Sequence, residues 1–152
     1  MSVYASQTQV SSERSRNEIE RILQRYGATQ FAYGWQGERA ILGFQLAARM
    51  IRFELPLPDR TAEEFIKTPA GRRRRNIEAQ HDAWEQACRQ RWRALALVIK
   101  AKLEAVESNI TTIEDEFLAH IVLPNGRTFG SWAAPQLAEA YENKKMPPLL
   151  GA

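Results

Sequence analysis

Apolar residues recur along this chain with two different periods. Ile19, Ile22, Leu23 and Tyr26 keep helical spacing and are stopped by Gly27, which predicts a helix near 13–26. Ser15-Arg16-Asn17-Glu18 matches S-x-x-E, where hydroxyl and carboxylate satisfy free N–H groups of a first turn. The residues before it are polar and unpatterned, so 1–12 read as a loose terminus ahead of a single domain over 13–152.

From Phe31 the period changes to two. Phe31, Tyr33 and Trp35 alternate with smaller residues, then Leu42, Phe44 and Leu46, then Ile51, Phe53 and Leu55. Turns fall at Gln36-Gly37-Glu38 and Ala47-Ala48. The expectation is an antiparallel meander with strands near 30–36, 39–46 and 50–56, ended by Pro56 and Pro58, which cannot donate to a ladder. Phe31, Tyr33 and Trp35 share one side of the first strand and are expected to lie covered.

The helical period then returns. Thr61-Ala62-Glu63-Glu64 is a second capping box, opening a short helix to about Lys67, which Thr68-Pro69-Ala70-Gly71 breaks. A long helix follows, near 74–107, with Trp84, Cys88, Trp92, Leu95, Ile99, Leu103 and Val106 as its apolar stripe. Trp92 on that stripe reads as core. Thr111-Thr112-Ile113-Glu114 is a third capping box, Ile121–Phe129 a small hairpin turning at Asn125-Gly126, and Ser131 or Ala134 the start of a last helix. Together these predict an α+β fold, a three-stranded antiparallel meander covered on one face by helices with one long central helix.

At 152 residues the chain fits one domain. Cys88 is its only cysteine, so no disulfide framework exists. The longest apolar run, Ala94 to Ile99, is far short of the ~20 residues that span a bilayer, and the N-terminal stretch lacks the apolar segment of a signal peptide. These features predict a cytoplasmic protein without a membrane partner.

Charge changes the picture more. The formal net charge is only +3, yet residues 60–103 hold 11 Lys/Arg against 5 Asp/Glu, while residues 104–152 hold 3 against 7. A basic centre and an acidic C-terminal third suggest a face for polyanions. Four consecutive arginines, Arg72, Arg73, Arg74 and Arg75, fall at the expected start of the long helix, and Arg89 and Arg93 follow one turn apart. Guanidinium forks match phosphate geometry, so these six residues are the expected nucleic-acid contacts. Placed in a helical first turn, the run would oppose the helix dipole.

Other chemistry is poorly represented. There is no phosphate-cradling glycine loop and no dinucleotide fingerprint. Glu116 and His120 share a helical face at i, i+4, but a metal needs three or four ligands, and Glu114-Asp115-Glu116 reads as a first-turn acidic cluster. Cys88 sits on the apolar stripe and reads as a small packed residue. No catalytic residue, metal or cofactor is expected.

The order helix, three strands, helix resembles that of double-stranded-RNA-binding domains over residues 13–107. There the second helix opens on a short lysine-rich segment, whereas here a short helix is inserted first. A broader likeness runs through "RYGATQFAYGW", "RQRWRALALVIKAKLEAVESNITTIEDEFLAHIVLPNGRTFG" and "PQLAEAYENKKMPPLL". In these stretches the chain resembles a group of small proteins encoded by bacteriophages and integrated mobile elements, to which no activity is assigned. The resemblance implies a bacterial cytoplasm and a phage accessory role. The resulting expectation is a non-enzymatic phage accessory protein that binds DNA or RNA through a basic helical patch with little sequence preference. The alternative is an interaction module that inhibits or modulates a host protein in defence or DNA metabolism. A homodimer is compatible with either.

Overall fold

The computed structural model describes residues 3–73 and 76–146, with only the backbone described for 3–11. Helix α1 (Val3–Arg25) is followed by strands β1 (Gln30–Gln36), β2 (Arg39–Leu46) and β3 (Arg49–Pro56). Then come α2 (Glu63–Ile66), α3 (Ile77–Glu107), α4 (Ile113–Glu116), a 3-10 turn (Leu118–His120) and α5 (Phe129–Asn143). The three strands form one antiparallel sheet in the order β1-β2-β3, and α3 is the long helix of an α+β fold. The strand limits agree with the period-two reading to within one residue.

The starts of α1 and α3 differ from expectation, and α2 is not capped by Thr61, its N-cap being Ala62 without a side-chain hydrogen bond. α1 begins at Val3, inside the stretch expected to be loose, because residues 3–12 contain neither proline nor glycine and the backbone continues helical through Ser15. Its C-terminus is as expected: Gly27 takes φ +93°, and the N–H groups of Gly27 and Ala28 close on Gln24 and Leu23 carbonyls at 3.1 and 2.9 Å. α3 starts at Ile77 rather than near 74, capped by Asn76, whose side chain accepts from the Ala79 N–H at 2.8 Å. Asparagine is a far better cap than arginine, and a run of cations gains nothing from the positive end of a helix.

The core lies between the sheet and the α1–α3 layer. Ala40, Leu42, Phe44 and Leu46 of β2 and Ile51 and Phe53 of β3 meet Ile19, Ile22 and Leu23 of α1 and Trp92, Leu95, Ile99 and Leu103 of α3. Phe117, fully buried, meets the rings of Phe44 and Phe53 edge-on at 6.0 and 6.1 Å. It secures the C-terminal third, because no residue of α5 itself is fully buried.

Helix α5 is joined to the body by close backbone approach. A Cβ on Gly130 would lie 2.8 Å from the Ala119 carbonyl oxygen, so only glycine fits there. Thr128 caps α5 by accepting from the Ser131 N–H at 3.2 Å, ahead of the starts expected at Ser131 or Ala134. Pro135 has no N–H for the Ser131 carbonyl four residues back, and the Arg127 guanidinium donates to that carbonyl instead at 2.7 Å. The hairpin before α5 is as expected, with Val122 bridging Thr128 and Gly126 at φ +85°.

The β2–β3 turn carries an unusual local cost. Ala47 and Ala48 both take positive φ, 51° and 61°, as a two-residue hairpin turn of mirror-image type requires. An L-alanine there is crowded between Cβ and the following carbonyl, at about 1–2 kcal/mol per residue. Ala47→Asn combined with Ala48→Gly is expected to stabilise the protein by about 1–2 kcal/mol. A urea midpoint raised without a change in slope checks this; an unchanged midpoint contradicts it.

Candidate nucleic-acid interface

The structure separates the expected arginines into two places. Arg72 and Arg73 are exposed on the connection between α2 and α3. Arg74 and Arg75 lie outside the described residues. The connection is closed by a tight turn in which the Thr68 N–H donates to the Arg72 carbonyl at 2.7 Å and the Arg72 N–H to Thr68 Oγ1 at 3.2 Å, with Gly71 at φ +82°. Glu63 and Glu64 of α2 line the hollow beside it. Arg89 and Arg93 stand three to four turns into α3, so at 1.5 Å per residue they are about 18 and 24 Å along the axis from Ile77. A single small anion cannot join the two places; an extended chain of phosphates can.

Arg89 and Arg93 do not stand alone. They line a groove of about 320 Å³ between α1 and α3, together with Arg14, Ser15, Glu18, Ala96 and Leu97. The two helices run in the same direction, since Arg14 lies beside Arg89 and Arg93 while Tyr26 donates to Glu107 at 2.7 Å at the far end. That contact, placing the phenol against a carboxylate, raises the Tyr26 pKa.

By helical spacing, cations and carboxylates both recur along the two walls, with Glu18 on α1 and Glu104 and Glu107 beyond Lys100 on α3. Arg14, Arg21 and Arg25 are seven and four residues apart and share one side of α1; Arg89, Arg93 and Lys100 are four and seven apart and share one side of α3. Each row spans about 16 Å. Arg89 is held by Gln86 Oε1 at 2.7 Å, a neutral partner that leaves its charge available. Among the described residues, none of the six cations has a carboxylate within 4.0 Å. Glu18 is the one acidic residue lining the groove.

Several other cations are spent on structure. Arg16 lies over the Tyr33 ring at 4.1 Å and near Trp92 at 5.3 Å, Arg60 covers Trp84 at 4.0 Å, and Arg91 donates to the Pro56 carbonyl at 2.9 Å. Arg39 and Arg52 pair with Glu54, and Arg49 with Glu114. Sequence reasoning therefore found Arg89 and Arg93 but missed Arg14, Arg21 and Arg25. Their seven-and-four spacing inside the predicted first helix was the signal available.

The aromatic row of β1 needs correction. Trp92 is buried as expected, at 2% exposure, and Tyr33 meets it edge-on at 5.4 Å. The cover ends there: Tyr33 is 38% exposed and Trp35 74%. Trp35 pairs with Ala40 at the far end of the strand, past the point where Arg16 and Trp92 close over Tyr33.

Glu116 and His120 do not form a joint site. Glu116 binds Lys102 Nζ at 3.3 Å, while His120 stacks on Phe53 at 3.9 Å, its pKa lowered by burial and by Lys102. No cluster of three metal-ligating side chains occurs among the described residues. Cys88 is buried, which pushes its thiol up to about 11. Such a thiol is a poor nucleophile at neutral pH.

Glu85 is the one buried carboxylate among the described residues, 2% exposed with His81 Nε2 at 2.7 Å from Oε1. Burial raises its pKa, against the pull of His81 and Arg89. A raised folded-state pKa means the folded protein holds the proton more tightly than the unfolded chain. The stabilisation from protonation is complete below the unfolded value and is lost as pH rises through the folded one. Glu85→Gln is therefore expected to gain stability over the parent at neutral pH. That advantage should shrink as the pH falls toward the ordinary value of 4.5, read by urea unfolding of both proteins along a pH series. A difference that does not vary with pH contradicts it.

Among the described residues no helix is long and apolar enough to cross a membrane. Comparison with protein-family models, with curated proteins and with solved structures finds no match for this chain.

Proposed function

We propose that the protein is a non-enzymatic accessory protein of phage origin that binds nucleic acid, with the α1–α3 groove as its principal contact surface. The observation that carries this reading is the meeting of Arg14, Arg89 and Arg93 in one groove, each without a carboxylate partner among the described residues. Side chains so arranged suit phosphates, and the two rows of about 16 Å suit a backbone rather than a mononucleotide. Arginine contacts to phosphates carry no sequence information, which favours binding without sequence preference. Arg72 and Arg73, on the connection before α3, provide a second contact for the same strand.

The test is anisotropy titration of short single- and double-stranded DNA and RNA over a salt series. Micromolar dissociation at about 50 mM salt is expected, with log affinity falling against log salt at a slope near −4.5 for about five phosphates neutralised by Arg14, Arg89, Arg93, Arg72 and Arg73. Dissociation constants no tighter than millimolar at that salt would end the reading.

A second reading has its own observation. Helix α5 presents Leu137, Tyr141 and, just beyond, Met146, exposed at 60, 81 and 81% around a groove of about 590 Å³. An apolar face of this kind suits a protein partner, as expected of a module that modulates a host protein. Capture from nuclease-treated bacterial lysate separates the two, since a protein partner survives the nuclease.

A further inference from the structure

Strand β1 is an edge of the sheet. Its inner side pairs with β2 over all seven residues, Gln30↔Gln45 through Gln36↔Arg39, without a bulge. Its outer side has no partner among the described residues. The opposite edge is treated differently: β3 is partly covered by Ile121 bridging Ile51 and by the Val122 N–H donating to Met50 at 2.8 Å.

Natural edge strands are normally blunted by a charge, a proline, a bulge or a covering element. β1 has none of these. Its sequence, Gln30-Phe31-Ala32-Tyr33-Gly34-Trp35-Gln36, is uncharged and unbroken. It exposes Trp35 and Tyr33 on the helix side, and a Cβ at Gly34 would meet nothing within 4 Å.

The strand also reads the same from either end. Glutamine closes both ends, then come an aromatic and a small residue on each side of a central tyrosine. Two copies laid antiparallel about Tyr33 pair Gln30 with Gln36, Phe31 with Trp35, Ala32 with Gly34, and Tyr33 with itself. On the helix side every pair is aromatic on aromatic; on the open side each is amide on amide or small on small. Contacts between identical patches related by a two-fold axis require this self-complementarity, and no residue of the strand itself sets a like charge against its copy.

We propose that β1 is the homodimer interface of this protein, pairing antiparallel with β1 of a second copy to give a continuous six-stranded sheet. The pairing covers Trp35 with the Phe31 of the second copy and satisfies the free backbone groups of both edges.

Light scattering with sedimentation velocity on the full chain tests it, with a concentration-dependent dimer expected at micromolar protein. Trp35→Glu, at a position 74% exposed, should keep the circular dichroism of the parent and weaken dimerisation by about 30-fold or more. Tyr33→Cys should form an intermolecular disulfide under mild oxidation, because the two-fold axis sets that position against itself. Gln30→Cys should not, being opposite Gln36, and the buried Cys88 should stay unreactive in both. A parent that remains monomeric overturns the proposal. So does a dimer that Trp35→Glu leaves intact, which would place the interface elsewhere, or crosslinking at position 30 in preference to 33. Should Trp35→Glu fail to fold, the two cysteine variants decide alone.

Discussion

Phe117→Ala is expected to cost about 3–5 kcal/mol of stability, the range for removing a fully buried phenylalanine. Three features put it at the upper end. Phe117 has no exposed surface. Its ring meets Phe44 and Phe53 edge-on, at 86° and 87°, so the aromatic attraction disappears along with the burial. Phe53 in turn stacks with His120, so a void at 117 reaches the 3-10 turn on which α5 rests. Because no residue of α5 is fully buried, it has no second anchorage of comparable strength. The variant should therefore show both a lowered urea midpoint and early proteolysis between residues 121 and 129. Leu118→Ala, one residue on and 40% exposed, should change stability far less, by about 0.5 kcal/mol. A Phe117→Ala protein within about 1 kcal/mol of the parent would mean that the C-terminal third is not secured there.

How much of this was legible in the sequence differs by element. The meander was, because alternation in β2 is enforced on one face by burial: Ala40, Leu42, Phe44 and Leu46 are all buried. Register slips by one residue would turn every one of them to solvent. The stripe of α3 was legible for the same reason, with Cys88, Trp92, Leu95, Ile99 and Leu103 buried. Helix starts were less so. The S-x-x-E pattern at Ser15 lies mid-helix, since such a pattern marks a start only where the preceding backbone is not helical. At α4 and α5 the caps are Thr112 and Thr128, each one or more residues from the expected position. The coverage of β1 was not legible at all. Alternation shows that Phe31, Tyr33 and Trp35 share a face but says nothing of how far the helices reach across it.

The candidate site was half legible. A run of four arginines is conspicuous in sequence, but conspicuous charge and convergent charge are different properties. Its first two members, Arg72 and Arg73, lie on a connection beside Glu63 and Glu64, and the convergence occurs elsewhere, between side chains 75 residues apart in the chain. Only the parallel packing of α1 on α3 brings Arg14 to Arg89 and Arg93, and no local pattern encodes that contact.

This difference sets the largest effect expected on binding. Arg14→Gln, Arg89→Gln and Arg93→Gln combined should weaken nucleic-acid affinity by about 10³-fold or more at low salt. Each charge-assisted hydrogen bond to phosphate that the triple variant removes is worth about 1.5–3 kcal/mol. The salt slope should flatten by about 2.7, or 0.9 for each phosphate no longer neutralised. Glutamine keeps much of the side-chain stem and the helix propensity, so the fold should persist. Arg72→Gln with Arg73→Gln removes two charges from the more conspicuous place and should weaken binding far less, with a slope change of about 1.8 at most. The ranking of the two variants is decisive. If the 72–73 pair costs more than the groove triple, the convergence between α1 and α3 is incidental and the connection before α3 is the contact surface. If both leave affinity and slope unchanged, neither place meets phosphate, and the nucleic acid is held by cations elsewhere on the surface.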